Sequence, residues 1–206
     1  MKKLVLFIAF SATIAGASSQ NLKSPTEFLG YDLGTQFSWH SDAISYFKYV
    51  ADHSESVIYE SYGKSYEDRE LGIAFISTPE NLQNLDQFRK NNLIKIGMLE
   101  GDDTGEQIPF VWLAYNIHGN EAAGMEAALK TLYVLVSKSY PGVEEWLKEC
   151  VIVIDPCQNP DGRDRNTSLY RMTSSNNLNV NMDDWTHHEA WPESRTNHYL
   201  FDLNRD

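Results

Sequence analysis

The chain has 206 residues and a formal net charge of −12, with 29 acidic against 17 basic side chains. At 42% hydrophobic and 12% aromatic residues it can bury a core, which excludes a compositionally disordered protein. The acidic excess excludes a broad electrostatic grip on nucleic acid or anionic lipid.

At the N-terminus, Lys2 and Lys3 precede an apolar run from Leu4 to Ile14. The small residues Ala15, Gly16, Ala17, Ser18 and Ser19 follow. This is the layout of a secretory signal peptide over 1–19. The apolar run is shorter than the roughly 20 residues that a bilayer requires. A secreted or periplasmic protein is expected, with no stable membrane association after cleavage.

Residues 20–38 read as a polar leader. Ile44, Phe47 and Val50 fall at helical spacing and predict a helix over 39–52. SVIYESYG (56–63) and LGIAFIS (71–77) read as strands joined by a polar turn. Thr78-Pro79-Glu80 is a helix start, and that helix is expected to run to about residue 92. LIKIGM (93–98) reads as another short strand and 100–106 as a loop. PFVWLAYNI (109–117) is a strong strand, apolar enough to be buried on both faces. A helix follows over 121–138, with Met125, Leu129, Leu132 and Val136 in one stripe. Pro141-Gly142 breaks the chain before a short helix at 143–149. VIVID (151–155) is a second buried strand. Strand, helix and strand of these lengths form a βαβ unit, so a parallel or mixed sheet is expected. From Pro156 to about Asn197 the chain is polar and reads as a long irregular loop, a kind of segment that is usually functional.

Export would permit disulfides, but Cys150 and Cys157 flank VIVIDP. Seven extended residues cover about 23 Å, whereas a disulfide tolerates at most about 7 Å between Cα atoms. Two separate, buried thiols are expected.

In open α/β sheets, sites form at the carboxyl ends of strands. His118-Gly119-Asn120-Glu121 follows the first buried strand and Asn159-Pro160-Asp161-Gly162 follows the second. Asp202-Leu203-Asn204-Arg205 is a third polar cluster. An imidazole nitrogen and a carboxylate oxygen suit Zn²⁺, though His-x-x-Glu alone is a weak pattern that also fits a plain helix N-terminus. A zinc-bound His needs a carboxylate behind it. A peptide C-terminus needs a guanidinium and an amide donor. Asp202, Asn204 and Arg205 can supply all three.

NIHGNE, NPDG and DLNR, in this order, resemble the zinc carboxypeptidase family, the carboxypeptidase A/B-like metallopeptidases, over roughly 40–206. The resemblance implies an α/β fold with a mixed, largely parallel sheet and helices on both faces. It implies one catalytic Zn²⁺ with His118 and Glu121 as two of its three protein ligands. It implies that Asp202 supports His118, and that Asn204 and Arg205 bind the terminal carboxylate of a peptide or protein substrate. It also implies a carbonyl-polarising Arg. Arg171, in Leu169-Tyr170-Arg171, is the candidate, with Arg163 and Arg165 as rivals. The implied reaction is metal-assisted hydrolysis with a Glu as general base.

The family's third ligand and general base lie downstream of its DxNR motif. Residues 20–206 are therefore expected to be the N-terminal part of a catalytic domain, poorly soluble or partly unfolded alone and without peptidase activity. His187, His188 and His198 are alternative third ligands with Glu189 beside them, but they read more simply as a solvated loop. Two other functions stay open: a zinc amidohydrolase of peptidoglycan stem peptides, and a catalytically dead peptide-binding module.

Overall fold

The computed structural model describes residues 22–102, 105–174 and 180–206. The expected signal peptide lies outside the described residues. Ser24 caps the first helix, α1 (Pro25–Leu29), through a reciprocal bond pair with Glu27, and Pro25 occupies its first turn. Helix α2 (His40–His53) buries Ala43, Tyr46, Phe47 and Val50 on one stripe, the spacing of one helical face.

Strands β1 (Val57–Lys64) and β2 (Glu70–Ile76) form an antiparallel hairpin with a register shift between Ser61 and Gly63. Helices α3 (Pro79–Gln83) and α4 (Leu85–Lys95) follow. Next come β3 (Phe110–Ala114), α5 (Ala123–Ser137), α6 (Val143–Glu149), β4 (Val151–Asp155) and α7 (Pro160–Thr173). A single 3₁₀ turn occupies Trp185–His187. Among the described residues the sheet order is β1-β2-β4-β3. β3 pairs parallel with β4, while β4–β2 and β2–β1 are antiparallel. The sheet is mixed, with a smaller parallel share than expected because the β1–β2 hairpin joins β4 head to tail.

Side chains alternate across the sheet with the two-residue period of a strand. Ala74, Ile76, Ile152 and Ile154 face α2, α5 and α6 in the larger core. Val151, Val153, Ile73 and Phe75 face Phe88 of α4 in the smaller one. Helices therefore cover both faces. No helix among the described residues is long and apolar enough to cross a membrane. Cys150 and Cys157 are free thiols at opposite ends of β4, the first half-buried and the second buried.

Four element expectations need correction. The single helix expected from Thr78 to about residue 92 is two, α3 and α4, which meet at Asn84. LIKIGM is not a strand: α4 continues through Lys95, and Ile96 and Met98 are exposed. Its side-chain amides explain the helix, since Asn91 and Asn92 donate to Glu106 O at 2.6 Å and Ile108 O at 2.8 Å and pin α4 to the following chain. β3 is not buried on both faces: it is the edge of the described sheet, and Trp112 is 61% exposed. The long loop contains a 14-residue helix, α7, whose buried face is mostly polar.

Candidate metal centre

Parallel pairing sends the carboxyl ends of β3 and β4 to the same edge of the sheet. The ladder continues past both strands. Tyr115 N donates to Asp155 O at 2.9 Å, Gln158 N to Tyr115 O at 3.0 Å and Asn159 N to Asn116 O at 3.2 Å. These bonds fasten the HGNE and NPDG segments side by side. Asn116 takes a left-handed conformation, φ 52°, which a short amide side chain tolerates. Its Nδ2 donates to His118 O at 2.6 Å and closes the turn that aims His118. Asn159 caps α7 by accepting from Gly162 N at 3.0 Å, with Pro160 in the first turn.

The chain returns to this edge over 189–202. Asn159 Nδ2 donates to Arg195 O at 3.2 Å, and Glu189 accepts from Ser194 N at 2.9 Å and Asn120 Nδ2 at 3.5 Å. Arg165 donates to Glu193 O at 2.8 Å and Asn197 O at 3.1 Å. Contact is close enough to require glycine. A Cβ on Gly119 would sit 2.0 Å from Gly162 C and 2.4 Å from Ser194 O, and one on Gly162 would also sit 2.4 Å from Ser194 O. Three segments remote in sequence thus meet backbone to backbone.

His118, 2% exposed, stands at that meeting point. Its Nε2 lies 2.8 Å from Asp202 Oδ1 and 2.7 Å from Asn204 Oδ1. Both are acceptors, so Nε2 carries the proton. Nδ1 then faces Glu121 Oε1 at 2.9 Å. An imidazole lone pair and a carboxylate at that distance require a cation or a second proton between them. In the metal-free chain a proton serves. Burial disfavours the charged ring, but the bonds to Glu121, Asp202 and Asn204 outweigh it and raise the His118 pKa above its ordinary value. Burial also opposes the Asp202 carboxylate, and the bonds to His118 and Arg195 more than compensate, lowering its pKa. Nitrogen and oxygen donors whose outer side is already tied to a carboxylate fit two positions of a zinc shell. Among the described residues, no group of three or more His, Cys, Asp or Glu side chains is arranged to hold a metal.

Four of the anticipated site residues come together: His118, Glu121, Asp202 and Asn204. Arg205 adjoins them, with its guanidinium on Asn204 Oδ1 and its side chain exposed. The three candidate arginines sit elsewhere. Arg171 lies over the Trp39 ring at 5.2 Å and donates to Phe37 O at 3.5 Å, and no described contact links it to His118, Glu121 or Asp202. Arg163 is fully buried and committed to Glu126 Oε1 at 2.7 Å and to Ser38 O and Ala122 O. Arg165 clamps the 193–197 backbone. His187 and His188 are exposed, and His198 pairs with Glu67 at 3.1 Å.

Arg195 was missed by sequence reasoning. Its Nε donates to Asp202 Oδ2 at 2.7 Å and its Nη1 lies 3.5 Å from Glu121 Oε1. It lies between the NPDG and DLNR motifs and belongs to neither.

The zinc carboxypeptidase family profile matches residues 44–206, and the chain belongs to that family. Among solved structures it is similar to carboxypeptidase A from Helicoverpa armigera, at 18% identity and a TM-score of 0.49 over 73% of this chain and 30% of that one. It is also similar to bovine thrombin-activatable fibrinolysis inhibitor, solved in complex with tick carboxypeptidase inhibitor, at 18% identity and a TM-score of 0.45 over 64% of this chain and 36% of that one. A third is a metallo-carboxypeptidase from Burkholderia cenocepacia, at 17% identity and a TM-score of 0.43 over 62% and 28%. The chain spans about a third of the length of these structures. A comparison with curated protein sequences returned no match.

Proposed function

We propose that this chain carries the metal- and carboxylate-binding part of a secreted or periplasmic zinc metallocarboxypeptidase. The observation that carries the reading is the two-sided seating of His118, with Nε2 on Asp202 and Nδ1 on Glu121. Such seating fixes one tautomer and leaves the other nitrogen beside a carboxylate, as a metal ligand pair requires. His118 and Glu121 would hold the ion. When bound, zinc supplies a Lewis acid for a carbonyl and a water of lowered pKa. Asp202 holds the imidazole orientation. Arg205 and the Asn204 amide, next to one another in the chain, offer the paired donors that a peptide's terminal carboxylate takes. The third ligand and the general base implied by the resemblance are assigned to no described residue.

The substrate side of the proposal is tested with Arg205→Ala and an N-acetyl dipeptide in free-acid and amidated forms. Binding of the free acid is expected to weaken tenfold or more, the scale of a lost charge-assisted bond. The amide should be little affected. Equal losses for both ligands would make Arg205 structural.

A further inference from the structure

The β1–β2 hairpin ends in a tight turn over 65–69. Ser65 N donates to Arg69 O at 2.8 Å, and Arg69 N donates to Ser65 Oγ at 3.1 Å. The turn is fastened to α7 by a guanidinium shared among three carboxylates. Arg69 Nε donates to Asp164 Oδ2 at 2.6 Å, and Nη1 donates to Asp161 Oδ1 at 2.8 Å and to Glu67 Oε2 at 2.6 Å. Ser65 Oγ adds a bond to Asp161 Oδ1 at 2.6 Å. Asp164 Oδ1 also accepts from His40 N at 3.0 Å, which ties the same cluster to the start of α2. A planar fork suits this shared role better than an ammonium. The hairpin tip therefore has a fixed seat that owes nothing to the 189–202 segment.

From that seat the tip reaches the returning chain. Glu67 Oε2 is taken by Arg69, and its Oε1 lies 3.1 Å from His198 Nδ1. The rings of Tyr66 and Tyr199 meet edge to face at 4.4 Å, and the His198 ring stands 6.0 Å from Tyr66. His198 itself belongs to a closed turn. Asn197 N donates to Phe201 O at 3.0 Å, and Asn197 Oδ1 accepts from Tyr199 N at 2.9 Å and Phe201 N at 3.0 Å. Asp202 is the next residue, and Arg205 N donates back to Asp202 O at 2.8 Å. Whatever holds His198 thus holds the base from which Asn204 and Arg205 project.

We infer that the hairpin tip positions the substrate-carboxylate site: Glu67 and His198 are positioning residues that fix the 197–201 turn, so that Asn204 and Arg205 meet a free terminal carboxylate as a pair already in place. Donors held in place before binding lose less freedom when the ligand arrives. The inference rests on the carboxylate-binding reading above and deepens it.

The test measures binding of an N-acetyl dipeptide, as free acid and as amide, to the purified chain. His198→Phe keeps a ring beside Tyr66 and Tyr199 and removes the nitrogen that meets Glu67. Glu67→Gln keeps the size of the side chain and removes its charge. Each should raise the free-acid Kd about threefold, the scale of one partly exposed ion pair, and leave the amide Kd unchanged. The double variant should be no weaker than the worse single one, because both changes remove the same interaction. A free-acid Kd unchanged in either single variant would overturn the inference. So would additive losses in the double variant, or equal losses for free acid and amide. If His198→Phe does not fold, Glu67→Ala joins Glu67→Gln, and an unchanged free-acid Kd or equal losses for acid and amide overturn the inference in the same way. Arg205→Ala separates the two levels. Equal losses for acid and amide in that variant would bring down the carboxylate site itself. A loss confined to the free acid in Arg205→Ala, with His198→Phe and Glu67→Gln silent, would overturn only the role of the hairpin tip.

Discussion

Asp155 ends β4 beneath the metal-centre edge, and its carboxylate is 2% exposed. Burial raises its pKa, only partly offset by the Tyr62 hydroxyl at 3.0 Å and the Cys157 amide at 3.2 Å. A carboxyl with a raised folded pKa binds its proton more tightly in the folded state. Its stabilising contribution is complete below the unfolded pKa, about 3.9, and is lost as pH rises through the folded value. Asp155→Asn keeps the acceptor for Cys157 N and removes the buried charge. The variant should match wild type near pH 3 and melt a few degrees higher at pH 7. An advantage of equal size at both pH values would mean that burial of the charge is not the cause. Arg163 illustrates the opposite economy at the same scale. Its buried guanidinium, on α7, is satisfied by the Glu126 carboxylate and by carbonyls of Ser38 and Ala122.

At the scale of elements, the three site segments depend on two glycines that no side chain can replace. Gly119→Ala would drive a methyl group into Gly162 and Ser194 backbone atoms. Overpacking against main chain should cost about 1–3 kcal/mol in denaturant unfolding and separate the HGNE turn from the returning loop. Unchanged stability would show that the segments are not clamped as described. The same scale explains what was legible in the residues. β4 and α6 were read to the residue because one is a continuous β-branched run and the other is bounded by Pro141-Gly142 and the next strand. α7 was missed because it buries Asp161, Arg163, Asn166 and Thr167, so it has no apolar stripe for periodicity to find. Its cap, Asn159-Pro160-Asp161-Gly162, was visible but was equally a turn signal. LIKIGM misled in the other direction: four apolar residues in six read as a strand, while long-range amide bonds from Asn91 and Asn92 decided for helix. That His118, Glu121 and Asp202 lie together was legible because motif order carried it. Arg195 was not, because its contacts with Asp202 and Glu121 exist only once the chain has folded Asp202 back onto His118.

For the molecule as a whole, the sheet is a device for convergence. Its one described parallel pairing, β3 with β4, brings two motif-bearing ends to one edge, and α7 with the 189–202 segment returns the third. Helices on both faces bury the strands that hold this edge in place. The central claim is that the convergence makes a zinc site from His118 and Glu121. Its most direct test is calorimetric titration of the purified chain with Zn²⁺, repeated on His118→Ala and Glu121→Ala. One ion bound per chain, with proton release as the His118 ring gives up Nδ1–H, and loss of that binding in both variants is the predicted result. One-to-one zinc binding that survives unchanged in both variants would contradict it.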